Sequence, residues 1–174
     1  MTMPAQKPHR SKQDYQTPPE FLAAVRAKFG ALEFDLAASP ENAACARFYT
    51  EADNSLVQTW PHSTGWAGGW NWLNPPFADI APWVKKASQE GARTLVLIPA
   101  SVGANWWRDW VHEKAVVYFL NGRIRFVGAK DLYPKDCALL QYGAYGDEPD
   151  YSIWTWPKDV PKPEGFGERI LRRG

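Results

Sequence analysis

An apolar run, Trp70-Asn71-Trp72-Leu73, stops abruptly at Asn74-Pro75-Pro76-Phe77. Each proline holds φ at about −65° and removes a backbone donor. Asn74 precedes a proline and is driven toward an extended conformation. The chain is thereby committed to a strand that ends in a stiff elbow. The elbow presents one amide, carbonyls with no competing local N–H, and one flat ring, a set suited to gripping a planar group that bears an amine. A strand that simply ends before a helix would carry the same residues, so the elbow alone leaves both readings open.

The rest of the chain supplies elements on either side. Thr17-Pro18-Pro19-Glu20 predicts a helix start, with Thr17 as N-cap, Pro18 at the first helical position and Glu20 closing a capping box. Phe21, Leu22, Val25 and Phe29 then recur at helical spacing, and Gly30 ends the helix. Leu32 to Ala38 reads as a short strand ending near Asp35. Ser39-Pro40-Glu41 opens either a second helix or a loop, and Phe48-Tyr49-Thr50 is a short strand. Glu51 to Asn54 is a polar turn, and Ser55 to Trp60 a helical turn. Gly65, Gly68 and Gly69 make 61–69 a mobile loop.

Asp79 to Glu90 and Asn105 to His112 carry helical patterns. Thr94 to Ile98 is a continuous apolar run, as expected of a strand buried on both faces. Ala115 to Leu120 is a further strand. Asn121-Gly122 is a hairpin signal that would send Arg123-Ile124-Arg125-Phe126 back along it with both arginines on one face. A loop over 128–136 precedes strands at Cys137–Tyr142 and Tyr151–Trp156. Strand and helix alternate first, and strands follow in series. This predicts an α/β fold: a mostly parallel central sheet with an antiparallel part near the C-terminal end, and helices on both faces. Residues 14–157 form one domain, between a disordered basic arm at 1–13 and a loosely held tail at 158–174.

Composition narrows the class. Hydrophobic residues at 45% and charged residues at 22% are ordinary for a globular protein. A net charge of +1 argues against a chain that works by bulk electrostatics alone. The charge is uneven, however. Arg123, Arg125, Lys130 and Lys135 face only Asp131 between 123 and 135, whereas Glu33, Asp35, Glu41, Glu51 and Asp53 dominate 31–60. The first pattern suits phosphates and the second a cationic ligand; single charges of either sign are also ordinary solvated surface. Cys45 and Cys137 form no CxxC pair, and His9, His62 and His112 are scattered, so no metal site is expected. No signal-peptide core or membrane-length apolar run occurs, and a cytoplasmic protein, monomeric or weakly dimeric, is expected.

An Asn/Asp-Pro-Pro-Tyr/Phe segment at a strand end is the signature of amino-group methyltransferases. The wider chain resembles the phage-type DNA N-6-adenine methyltransferase family (Dam-like). The resemblance is carried by Gln16-Thr17-Pro18, Phe34-Asp35-Leu36-Ala37-Ala38, Tyr49, Asp53 with Leu56 and Trp60, and Asn74-Pro75-Pro76-Phe77. It continues through Trp83, Leu97-Ile98-Pro99-Ala100, Trp106-Trp107 and Gly122-Arg123-Ile124-Arg125-Phe126.

The resemblance implies a Rossmann-like methyltransferase fold, S-adenosylmethionine as cofactor and DNA as partner, in a protein of phage or prophage origin. It implies methyl transfer to the exocyclic N6 of adenine, with Asn74, Pro75, Pro76 and Phe77 as catalytic residues. The Asn74 oxygen and the Pro75 carbonyl would accept the amine's two N–H bonds, and Phe77 would stack on the base. Tyr15, Thr17, Pro18, Asp35, Ala37 and Asp53 would hold the cofactor, Asp53 near its ribose hydroxyls. The turn after Asp35 carries small alanines where a glycine is usual. Arg123, Arg125 and Lys130 would contact phosphates. An extruded or single-stranded base would be needed, because a duplex hides the amine. Three other targets (cytosine N4, an RNA adenine, a protein glutamine) and a nucleic-acid-binding module without catalysis remain open at this stage.

Overall fold

The computed structural model describes residues 15–62, 68–143 and 149–157. The expected arm and tail, and the centre of the expected mobile loop, lie outside the described residues. The strands are β1 (Leu32–Asp35), β2 (Arg47–Phe48), β3 (Trp70–Leu73), β4 (Thr94–Pro99), β5 (Val116–Asn121), β6 (Cys137–Tyr142) and β7 (Tyr151–Thr155). The helices are α1 (Pro19–Phe29), α2 (Ala81–Glu90) and α3 (Asn105–Trp110), with a 3₁₀ turn at Ser55–Val57. All the strands join one sheet in the order β2-β1-β3-β4-β6-β5-β7. β1 pairs in parallel with β2 and β3, β3 with β4, and β5 with β7. Only β6 runs against its neighbours, β4 and β5. The expected mixed sheet is therefore present, and its antiparallel part is one strand inserted between two parallel blocks.

Burial follows from the alternation of side chains along β4. Leu95 and Leu97 join Phe21, Leu22 and Val25 of α1 on one face. Val96 and Ile98 join Val84 and Ala87 of α2 and Trp107 of α3 on the other. A strand covered on both faces reads as an unbroken apolar run, because every side chain meets a helix. Fully burying each such side chain contributes about 1.5–3 kcal/mol relative to exposure. Among the described residues, no helix is long and apolar enough to cross a membrane.

Two local expectations are corrected, and one open alternative is decided. Thr17 does not cap α1. Pro18 is the N-cap at φ −67 and ψ 140, and its carbonyl accepts from the Phe21 and Leu22 amides. A residue before proline is excluded from the helical region, so Pro19 holds Pro18 extended and the helix begins one residue later. Thr17 is thereby released for another task.

The segment after Ser39 is not a helix but a tight turn. Asn42 Oδ1 accepts from the Ser39 amide at 2.6 Å, and the Ala44 amide donates to Asp35 Oδ2 at 2.9 Å. These bonds close the segment back onto the end of β1.

The Asn121-Gly122 hairpin does not form. Both edges of β5 are taken, one by β6 and the other by β7, so Arg123–Phe126 finds no strand to pair with. Gly122 turns away at φ 109. Ile124 and Phe126 are buried in the α1-side core, while Arg123 and Arg125 point outward. The expected alternation survives without the hairpin.

Candidate active site

The parallel blocks align the carboxyl ends of β1 and β3. Asp35 is opposite Trp72 in the register, so the residues after Asp35 and after Leu73 emerge side by side. Between them opens a cleft of about 1030 Å³. Tyr15, Thr17, Asp35, Ala37, Asn74 and Pro76 line it. Pro18, Asp53, Pro75, Phe77, Arg123, Arg125 and Lys130 are not among its lining residues. This is where ligands sit in open α/β sheets, beyond the carboxyl ends of the strands.

Two hydrogen bonds constrain the Asn74 side chain there. Its Nδ2 donates to the Tyr15 carbonyl at 2.5 Å and to Thr17 Oγ1 at 3.1 Å. A carbonyl can only accept, so the amide orientation is fixed by chemistry rather than by choice of atom label. Both amide donors are spent. Its Oδ1 is buried and has no hydrogen-bond partner among the described residues. A buried acceptor without a partner costs about 1–3 kcal/mol and calls for an explanation. By contrast the Asn71 amide, three residues earlier, donates to the Pro61 carbonyl at 2.8 Å.

The acidic side of the cleft is built from two turns. The Asp35 carboxylate accepts from the Ala37 and Ala44 amides at 3.2 and 2.9 Å. Burial pushes its pKa up, and those two amide bonds pull the other way. The following turn is tied to its neighbour by Tyr49 N–H to the Asp35 carbonyl and Ala38 N–H to the Tyr49 carbonyl. No residue from 36 to 40 has a positive φ, so alanine serves where a glycine was the usual choice. Asp53 is exposed, and its Oδ2 accepts from both the Thr50 amide and the Thr50 hydroxyl at 2.7 Å. These bonds hold its carboxyl below the ordinary value. The turn it closes brings Glu51, Ala52 and Asn54 to the cleft. Glu51 is a cleft residue that sequence reasoning passed over. Its signal was only the acidic run containing Asp53.

Beside Asn74 lies an aromatic group. Phe77 meets Tyr15 and Tyr133 at 5.5 Å and Phe126 at 5.8 Å, and Tyr15 meets Phe126 at 4.9 Å. Tilted and edge-on contacts at these distances are the favourable ones. Burial raises the Tyr133 phenol to about 12, so its hydroxyl stays protonated. Tyr133 and Phe126 complete this group without a sequence signal for it. The hairpin expected at Phe126 would have placed it elsewhere, and Tyr133 lay in an expected loop. Their backbones secure the arrangement: the Tyr133 amide donates to the Ile124 carbonyl and the Val127 amide to the Gln16 carbonyl.

The candidate phosphate-binding cations are on the surface. Arg123, Arg125 and Lys130 are all exposed, and Arg123 Nε meets Asp136 at 3.3 Å. Cys45 and Cys137 are pushed up by burial to about 11 and about 12, which keeps both as inert thiols. Among the described residues, no group of three or more His, Cys, Asp or Glu is placed to hold a metal ion.

Comparison with known proteins identifies relatives of the chain. The family model described as DNA N-6-adenine-methyltransferase (Dam) matches residues 5–138. A protein of Escherichia phage T1 named DNA N-6-adenine-methyltransferase is 30% identical over 109 residues, covering 61% of this chain and 44% of its own length. The chain thus spans less than half of that relative. A Haemophilus phage HP1 protein of the same name is 26% identical over 125 residues, 68% of this chain and 69% of its own. The putative methyltransferase YfdM of Escherichia coli K12 is 32% identical over 69 residues, 40% of this chain and 71% of its own.

Proposed function

The chain belongs to the DNA N-6-adenine-methyltransferase (Dam) family, and we propose that it transfers a methyl group from S-adenosylmethionine to the N6 amine of adenine in DNA. The observation that carries this reading is the Asn74 amide, whose donors are consumed and whose buried oxygen waits for a donor. An exocyclic amine supplies such a donor. We read the sheet, with its single reversed strand, as the Rossmann-like methyltransferase fold.

The residues fit the cofactor. The cleft has the volume of a small-molecule site and combines apolar walls at Leu36, Trp72 and Trp83 with polar groups at Asn42, Glu51 and Asn54. Tyr15 would bound its methionine side, and Asp35 and Ala37 line the same cleft. Glu51 is our candidate for the ribose hydroxyls, since a carboxylate accepts two hydrogen bonds. Asp53 supports it by closing the turn. When bound, S-adenosylmethionine supplies an electrophilic methyl group.

The protein's part is to make the amine a nucleophile. In adenine the amine lone pair is delocalised into the ring. Asn74 Oδ1 accepts one N–H and the Pro75 carbonyl the other, which draws the nitrogen toward tetrahedral geometry and frees the lone pair. Both acceptors gain as positive charge builds on nitrogen, so their contribution is larger in the transition state than in the ground state. Pro76 holds the elbow rigid, and Phe77 with its ring neighbours offers a wall for the base. The methylated nitrogen then gives one proton to solvent water. Arg123, Arg125 and Lys130 would grip phosphates beside the aromatic group.

The test is direct. Adenine-containing DNA is incubated with the protein and S-adenosylmethionine, digested to nucleosides and analysed by mass spectrometry. N6-methyladenine is the expected product. A product methylated only on cytosine, or no methylated nucleoside from any DNA, would reject the reading.

A further inference from the structure

We propose that Thr17 is a positioning residue for Asn74: its hydroxyl completes a two-point clamp that holds the amide plane with Oδ1 toward the substrate amine. The inference rests on the role of Asn74 given above. It differs from a cofactor-contact role for Thr17, because it acts through another side chain.

The geometry separates the two halves of the clamp. Asn74 Nδ2 has two hydrogens, and its two acceptors are the Tyr15 carbonyl and Thr17 Oγ1. The carbonyl sets which way the amide faces, since a flipped amide would press oxygen against oxygen. A single hydrogen bond still allows the amide to swing, because the last torsion of asparagine is broad. The second bond, from Thr17, removes that freedom.

The clamp itself is anchored. Thr17 is 6% exposed. The Tyr15 ring packs against Phe77 and Phe126, and the Gln16 carbonyl accepts from the Val127 amide at 3.0 Å. The absence of an N-cap bond to α1 also follows. Two consecutive prolines cap the helix without a side chain, and the threonine hydroxyl is left for Asn74.

Thr17→Val replaces the hydroxyl with a methyl of similar volume. A small misplacement of a reacting group can cost about 10²-fold, so kcat at saturating cofactor is expected to fall by about 10- to 100-fold. The Kd for S-adenosylmethionine should move by less than about twofold, since only transition-state interactions are lost. Thr17→Ser keeps the hydroxyl and should restore kcat to within about threefold of wild type. Wild-type kcat in Thr17→Val, a Thr17→Ser variant as slow as Thr17→Val, or a loss confined to cofactor affinity would each overturn the proposal.

A second measurement does not depend on activity. In the wild-type protein both Asn74 side-chain amide protons should exchange slowly with solvent by NMR, and Thr17→Val should release one of them. Freely exchanging protons in the wild type would overturn the clamp even if Thr17→Val does not fold. A wild-type protein that methylates no DNA would reject the proposed function instead, and the amide spectrum would still decide the clamp.

Discussion

The Asn74 side chain donates to the Tyr15 carbonyl across 59 residues of sequence, at 2.5 Å. That bond selects an amide over a carboxylate at the elbow. Asn74→Asp would set an ionised oxygen against the Tyr15 carbonyl, which loses its donor, while the Thr17 hydroxyl can turn to donate to the new carboxylate. A destabilisation of about 1–3 kcal/mol is expected, together with loss of methyl transfer. The penalty should shrink as pH falls, because a protonated aspartate can donate to Tyr15. Thermal unfolding of the variant from pH 7 down to pH 4 checks this; a variant as stable as wild type at pH 7 would contradict it.

Asp35 contributes a second pH dependence. Burial raises its folded pKa above the ordinary 3.8, with the Ala44 and Ala37 amide bonds opposing the shift. A carboxyl with a raised folded pKa stabilises the fold fully below its unfolded pKa, and that contribution is lost as pH rises through the folded value. The difference in unfolding temperature between wild type and Asp35→Asn should therefore change over this acidic window. A difference that stays constant from pH 3.5 to pH 6.5 would contradict the raised pKa.

The two acids of the 50–54 turn should separate by role. Glu51→Ala is expected to weaken S-adenosylmethionine binding roughly tenfold, the loss of about one good polar contact. Asp53→Ala should act through the Thr50 bonds it breaks and weaken binding less. Isothermal titration of both variants decides, and the reverse order would return the ribose role to Asp53.

For DNA, each phosphate-neutralising cation adds about 0.9 to the salt slope of log K on B-form DNA. Arg125→Ala should lower the slope by about that amount. Arg123→Ala should lower it less, because Arg123 already meets Asp136. Binding measured between 50 and 200 mM salt gives both values; unchanged slopes would leave these arginines as ordinary surface charge.

Much of this was legible in the chain. The prolines after Leu73 and the unbroken apolar run of β4 report purely local and burial constraints, and both strands stand where expected. Of what failed, the hairpin and the place of Tyr133 depended on partners distant in sequence, and the cap on a neighbouring proline. Arg123–Phe126 has hairpin chemistry, but β6 and β7 had already filled both edges of β5. Thr17 has capping chemistry, but Asn74 competes for its hydroxyl and Pro19 moves the cap to Pro18. Tyr133 gave no periodic signal at all; it joins the rings beside Phe77 because its amide is tied to Ile124. Local rules located the elbow, and tertiary contacts determined which atoms are left free on it.

The most direct measurement of that elbow is the single-turnover methylation rate of Asn74→Ala, read beside its affinity for S-adenosylmethionine. If Oδ1 acts on the amine in the transition state, the rate should fall by about 10²- to 10³-fold, the size of losing one preorganised charge-stabilising contact. Cofactor affinity should stay near that of the wild type. A variant that binds the cofactor normally and methylates adenine at close to the wild-type rate would contradict the account.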